Sequence, residues 1–248
     1  MLDSTLLKST LFRATFLKGV GALCLGAGLA GCASAPTPPQ ATPIADNAAP
    51  FLPSALFPGS ADGFQAWHCQ PANQHLIGAD NGQTLRLWSL HGAWQLPRAV
   101  VADGARYQDG DISFWDRGER ALVETPRGQL QCQQAGERKA LTRAGNPGVM
   151  FKAEGREPSW QVTLAHDVPT LAIETATAPA THQPYMISVL DNQAGRVVLE
   201  SADVEPFFRL RIDAGACFDK ASGAPYPARV TLTYQGEQYS GCGQGIAP

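Results

Sequence analysis

The sequence predicts an all-β protein built from two small antiparallel β domains, each holding one disulfide, behind an N-terminal leader. Three observations carry this. Apolar and polar residues alternate at period two through many short stretches, the pattern of strands with one buried and one wet face. Beyond residue 31 no stretch has the apolar periodicity of a long helix. Four of the six cysteines fall two and two on either side of a polar, turn-rich segment. The 248 residues are 44% apolar, enough for packed cores, and the 25 Gly and 19 Pro supply frequent turns without reaching a low-complexity composition. The length allows one large domain or two small ones.

Residues 1–31 have the form of a secretory signal. Lys8, Arg13 and Lys18 make a basic region, and Gly19 to Gly31 is apolar, rich in small residues and too short to span a bilayer. Leu29-Ala30-Gly31-Cys32 resembles the lipobox of bacterial lipoproteins. That resemblance implies cleavage before Cys32, acylation of its sulfur and new amino group, and a lipid anchor, with each buried CH₂ contributing about 0.8 kcal/mol to membrane attachment. Ala33 stands where an inner-membrane retention signal has Asp, so the implied location is the outer membrane, facing the periplasm. Residues 32–61 form the expected anchor and linker, rich in Pro and Ala and read as an extended stalk.

Charge narrows the partners. Nineteen Lys and Arg against 22 Asp and Glu give a net charge of −3; loss of residues 1–31 removes three basic residues and one acid, for a net −5. No basic run is present, and nucleic-acid binding needs a clustered basic footprint, so no nucleic-acid partner is expected.

With Cys24 in the signal and Cys32 lipidated, Cys69, Cys132, Cys217 and Cys242 remain for an oxidising compartment. Four cysteines allow three connectivities, and spacing alone does not choose between them. The polar segment Ala135 to Gly148 reads as a linker, which favours Cys69 with Cys132 and Cys217 with Cys242. In the chain-entropy description the two closures contribute about 4 and about 3.5 kcal/mol. The domains are then 62–135 and 149–248. No cysteine spacing fits a zinc site, and neither a metal nor a cofactor is expected.

Strands follow from alternation. In the first domain Leu85 and Leu87, then Ile112 and Phe114, alternate with polar neighbours, with Asn81-Gly82 and Asp109-Gly110 as hairpin turns. In the second, Trp160, Val162 and Leu164, then Phe208, Leu210 and Ile212, then Val230, Leu232 and Tyr234 mark three strands. Many short strands at close spacing favour small barrels or sandwiches.

Residues 64–132 carry a more specific signal. Phe64 to Cys69, Ala102-Asp103-Gly104-Ala105-Arg106-Tyr107, Phe114-Trp115-Asp116-Arg117-Gly118-Glu119-Arg120-Ala121-Leu122 and Cys132 resemble the membrane-bound or periplasmic inhibitors of c-type lysozyme, the MliC family. The family pattern is an opening Cys, an SGSGA(R/K)Y-like loop, a W-x-K-G-x-x-A-x-L strand and turn, and a closing Cys. The resemblance implies a closed antiparallel barrel joined by Cys69 and Cys132, acting as an inhibitor rather than an enzyme, with c-type lysozyme as partner. It implies target contacts from Asp103, Gly104, Ala105, Arg106, Tyr107 and Arg117. In the family a Ser matching Asp103 bonds the catalytic acid, and a Lys matching Arg117 pairs with the second carboxylate. Glycoside hydrolysis needs both carboxyl groups, so occupying both blocks it.

This chain departs from the pattern at both positions. Arg117 keeps the charge but presents a rigid fork where the family has a point charge. Asp103 brings a carboxylate toward carboxylates, and desolvating an unpaired charge costs several kcal/mol. Either the domain inhibits through altered contacts, with Asp103 retuned or paired with Arg106 or Arg117, or it keeps the scaffold without that target. Asp103 before Gly104 is also an ordinary turn residue, and Tyr107 and Trp115 fit barrel packing as well as target contact.

The C-terminal half resembles a family of uncharacterised bacterial lipoprotein domains, on Gly155-Arg156-Glu157-Pro158-Ser159-Trp160, Cys217-Phe218-Asp219-Lys220-Ala221-Ser222-Gly223, Tyr226-Pro227 and Gly241-Cys242-Gly243. Glu157, Asp219 and Ser222 are candidates for a polar site near the disulfide, and turn roles account for them equally. His68, His75, His91, His166 and His182 lie in no nucleophile or metal motif, and G-x-S-x-G, H-E-x-x-H and P-loop patterns are missing, so no catalytic residue is assigned.

Overall fold

The computed structural model describes residues 52–203 and 206–246. The expected signal, Cys32 and most of the stalk lie outside the described residues. The fold is two closed eight-stranded barrels, antiparallel throughout. The first comprises β1 (Gly63–Gln70), β2 (Gln74–Asp80), β3 (Thr84–Ser89), β4 (Gly92–Ala99), β5 (Ala105–Asp109), β6 (Ile112–Asp116), β7 (Arg120–Thr125) and β8 (Gly128–Lys139). The second comprises β9 (Val149–Arg156), β10 (Ser159–Ala165), β11 (Thr170–Thr175), β12 (Ala178–Asp191), β13 (Arg196–Ser201), β14 (Phe208–Phe218), β15 (Pro225–Tyr234) and β16 (Glu237–Gly245). In each, consecutive strands pair and the last closes on the first, so no sheet edge is left open.

The alternation read from sequence maps onto the interiors. Trp160, Val162, Leu164, Phe208, Leu210, Ile212, Val230, Leu232 and Tyr234 are all buried in the second barrel's core, while Arg209 and Arg211 between them are exposed. In the first barrel Leu85, Leu87 and Phe114 are buried around Trp67 and Tyr107. Cys69 and Cys132 are directly opposed on β1 and β8, so their disulfide fastens the seam that closes the barrel. The second disulfide joins Cys217 of β14 to Cys242 of β16.

Three expectations need correction. Residues 52–61 are not stalk. Ser54–Leu56 form a 3₁₀ turn, Leu56 is wholly buried in the second barrel's core, and Leu52, Ala55 and Phe57 pack against that core. Trp88 Nε1 donates to Ala55 O at 2.7 Å, and the Arg86 guanidinium donates to Ser54 O and Phe57 O. The physical reason is composition: this stretch carries enough apolar surface to be worth burying. Second, the linker is shorter than 135–148, because β8 continues through Lys139, paired with β1 as far as Gly63. Third, β1 to β3 are not wet over the whole of their outer face, although His68 and His75 on it are exposed. Phe64, Ile77, Ala79 and Trp88 point outward yet are buried with Ala61 and Ala216, and Phe218 packs against them. Phe64 and Trp67 stand three residues apart on β1, so alternation alone puts Phe64 on this face and Trp67 in the barrel, while the register shift beside them leaves Ala135 of β8 unpaired.

This shared apolar layer joins the barrels, and Arg138 bolts them. Its guanidinium lies over Tyr226 at 3.9 Å and Phe64 at 4.8 Å, and donates to Pro225 O at 2.8 Å and Gln244 Oε1 at 2.9 Å. Gln244 is fully buried, and its Oε1 also accepts Leu141 N–H. Burial lowers the Arg138 pKa, while Tyr226 and Glu154 favour its charge.

Candidate functional site

Antiparallel winding puts the β2–β3, β4–β5 and β6–β7 connections at one end of the first barrel. The β4–β5 loop holds Asp103 and Gly104; the β6–β7 turn holds Arg117 and Gly118. Trp115 connects them. Its Nε1 donates to Asp103 O at 3.0 Å, pinning the loop, and the Arg117 guanidinium lies over its ring at 3.8 Å. Gly104 has φ +70°, and a Cβ there would stand 2.5 Å from Asp116 O, so the loop backbone lies directly on β6. Only glycine suits both the angle and the approach.

The six expected contact residues divide. Asp103, Gly104 and Arg117 are exposed and grouped by Trp115. Ala105 opens β5 and is half-buried. Arg106 points to the barrel's outer wall, where it meets Glu124 Oε2 at 2.8 Å and Ser113 Oγ at 3.3 Å. Tyr107 points inward, is 1% exposed and donates to Asp80 Oδ2 at 2.6 Å. Burial and that carboxylate raise its pKa well above the usual phenol value. Its side chain is a core element and is not presented at the surface. Residues 105–107 are a strand, so their side chains alternate and cannot all face one partner.

Asp103 pairs with neither arginine proposed for it: Arg106 is held by Glu124 and Arg117 by Trp115. Among the described residues neither Asp103 nor Arg117 makes an ion pair within 4 Å. A guanidinium stacked by its face keeps its in-plane N–H groups for a carboxylate, and here the ring fixes its orientation. Asp116, next to it, is structural: its Oδ1 accepts Gly118 N–H at 2.8 Å, and burial raises its pKa. Sequence reading missed Val100, at the head of the same loop, whose side chain is fully exposed. Its signal was a β-branched pair, Val100-Val101, placed just before the Asp-Gly turn.

In the second barrel Glu157 and Asp219 line one cavity of about 290 Å³ beside the Cys217–Cys242 disulfide, with Arg156, Lys220 and Arg229. Asp219 is committed to its own turn. Its Oδ1 accepts Ser222 N–H at 2.8 Å and Ser222 O–H at 2.5 Å, and these bonds hold its pKa down. Ser222 is therefore a turn donor to Asp219. A comparison with known protein families finds no match to the chain, and a search of the curated proteins finds none either.

Proposed function

We propose that the protein is a lipid-anchored envelope protein, tethered at Cys32 to the outer membrane, that inhibits c-type lysozyme with the Arg117 end of its first barrel. The observation that carries this reading is Arg117: exposed, free of any carboxylate within the described chain, and oriented by Trp115 beside the loop of Asp103. A bidentate guanidinium suits one of the two carboxyl groups that glycoside hydrolysis requires. Val100 supplies an apolar tip on the same loop. An acidic chain is steered toward a basic enzyme, so inhibition weakens as salt rises. No catalytic role is assigned to any residue.

One observation favours a second reading. Asp103 is exposed and unpaired where the resembled family has a hydroxyl, and it would meet the catalytic carboxyl groups with like charge. In that case the protein is a structural or interaction lipoprotein of the envelope that binds a wall fragment or another protein through its second barrel, without inhibiting lysozyme. The test is the rate of cell-wall hydrolysis by a c-type lysozyme with and without the protein, at low and moderate salt. Near-stoichiometric, salt-sensitive inhibition supports the first reading; none at micromolar excess supports the second.

A further inference from the structure

The opposite end of the first barrel has a different character. The β1–β2, β3–β4 and β7–β8 turns surround a cavity of about 560 Å³ that opens to solvent. Its walls are Leu76, Leu87, Trp94, Ile112, Val123 and Leu130, contributed by six of the eight strands. The same side chains belong to the barrel's hydrophobic core or pack against it, so the core ends here in an open apolar floor. The second barrel differs, because Leu56 from the leading segment is buried in its core and Phe57 lies against Gly245 at its end.

The rim carries one fixed charge. Arg127, in the β7–β8 turn, is exposed and in no ion pair within 4 Å among the described residues. No Asp or Glu lines the cavity. Asp109 and Asp111 flank the β5–β6 turn at this end but are not part of its lining. An apolar cavity within about 300–1,000 Å³, with few polar groups at its mouth, has the size and make-up of a small-molecule site. An eight-stranded barrel is wide enough either to be filled by side chains or to hold one small ligand; here Trp67, Tyr107 and Phe114 fill the interior and the open space is confined to this mouth.

We propose that this mouth binds a single-chain anionic amphiphile, its hydrocarbon chain against Trp94 and the leucine floor and its carboxylate at Arg127. The apolar walls select the chain, and Arg127, the one permanently charged group of a lining that also includes the His91 imidazole, selects the sign of the head. The site is at the far end from Arg117, so it operates independently of the lysozyme reading.

Calorimetric titration of the full chain with dodecanoate, and with dodecyltrimethylammonium as a head of opposite charge on an equal chain, tests this. One dodecanoate should bind per chain, and the cationic amphiphile should bind about tenfold more weakly or worse, a difference of about 1.4 kcal/mol. Ile112→Trp, which fills the mouth, should weaken dodecanoate at least about tenfold. Arg127→Ala, at an exposed turn that leaves the fold intact, should erase the discrimination between heads even if the Ile112 variant misfolds. No binding of dodecanoate at millimolar concentration, equal binding of both heads by the unaltered protein, or unchanged discrimination in Arg127→Ala would overturn the proposal.

Discussion

Replacing Arg138 by alanine removes a side chain that belongs to both barrels. The structure sets the size of the effect. Of the three hydrogen bonds lost, the exposed one to Lys139 O stays within the first barrel and counts for little, while the two to Pro225 O and Gln244 Oε1 are each worth about 1.5 kcal/mol. The stacking on Tyr226 and Phe64 adds about 1 kcal/mol. Against this, the buried guanidinium no longer has to be desolvated, a cost visible in its lowered pKa. Gln244 also keeps Leu141 N–H as a partner. The net loss is about 3 kcal/mol. With a urea slope of about 2 kcal/mol/M, the unfolding midpoint should fall by about 1.5 M. Arg138→Lys, which keeps the charge but not the planar fork, should lose about half as much. The assay is urea unfolding followed by far-ultraviolet circular dichroism, with tryptophan fluorescence as a second probe. A loss below about 0.5 kcal/mol, the range of ordinary surface substitutions, would refute the view that Arg138 fastens the two barrels.

Other substitutions separate structural from contact roles. Gly104→Ala forces a side chain into a positive φ and against Asp116 O, and should cost about 2 kcal/mol in denaturant unfolding as well as inhibition. Tyr107→Phe should lower stability by about 1 kcal/mol through loss of its bond to Asp80, while lysozyme inhibition is unchanged; a loss of inhibition at full stability would place Tyr107 in the contact after all. Asp213 accepts from Arg196 and Arg211, each at 2.6 Å, and though burial pushes its pKa up, these bonds bring it below the ordinary value. A depressed folded pKa adds stability that is present above the unfolded value of about 3.9 and is lost as pH falls through the folded one. Asp213→Asn should therefore cost about 1 kcal/mol at pH 6, discounted for the exposure of both arginines, and the gap should narrow as pH falls below the unfolded value; a gap that does not change with pH there contradicts this.

The interiors were legible because period two is a local property. Trp160, Val162 and Leu164 each face the core of their own barrel, and nothing outside it changes their burial. The contact between barrels was not legible. Ile77 and Trp88 are apolar on faces that alternation assigns to solvent, and only a second barrel against β1 to β3 makes them buried. Residues 52–61 were hidden by their prolines, although Leu52, Leu56 and Phe57 are an apolar set that has to be covered. At the candidate site, motif order grouped 103–107 as one contact. Strand alternation already separates Tyr107 from Arg106, and the structure sends them to opposite sides of the wall. The stacking of Arg117 on Trp115 depends on the turn that follows β6, and sequence alone did not carry it.

The most direct measurement is cell-wall hydrolysis by a c-type lysozyme in the presence of the protein and of its Arg117→Ala and Arg117→Lys variants, with unfolding curves recorded alongside. The unaltered protein should inhibit near stoichiometry, and Arg117→Ala should abolish inhibition without loss of stability beyond about 1 kcal/mol, the worth of its exposed stacking. Arg117→Lys, which keeps the charge, should retain part of the inhibition. A folded Arg117→Ala variant that inhibits as well as the unaltered protein would contradict the assigned contact, and a folded unaltered protein that leaves the lysozyme rate untouched would contradict the function itself.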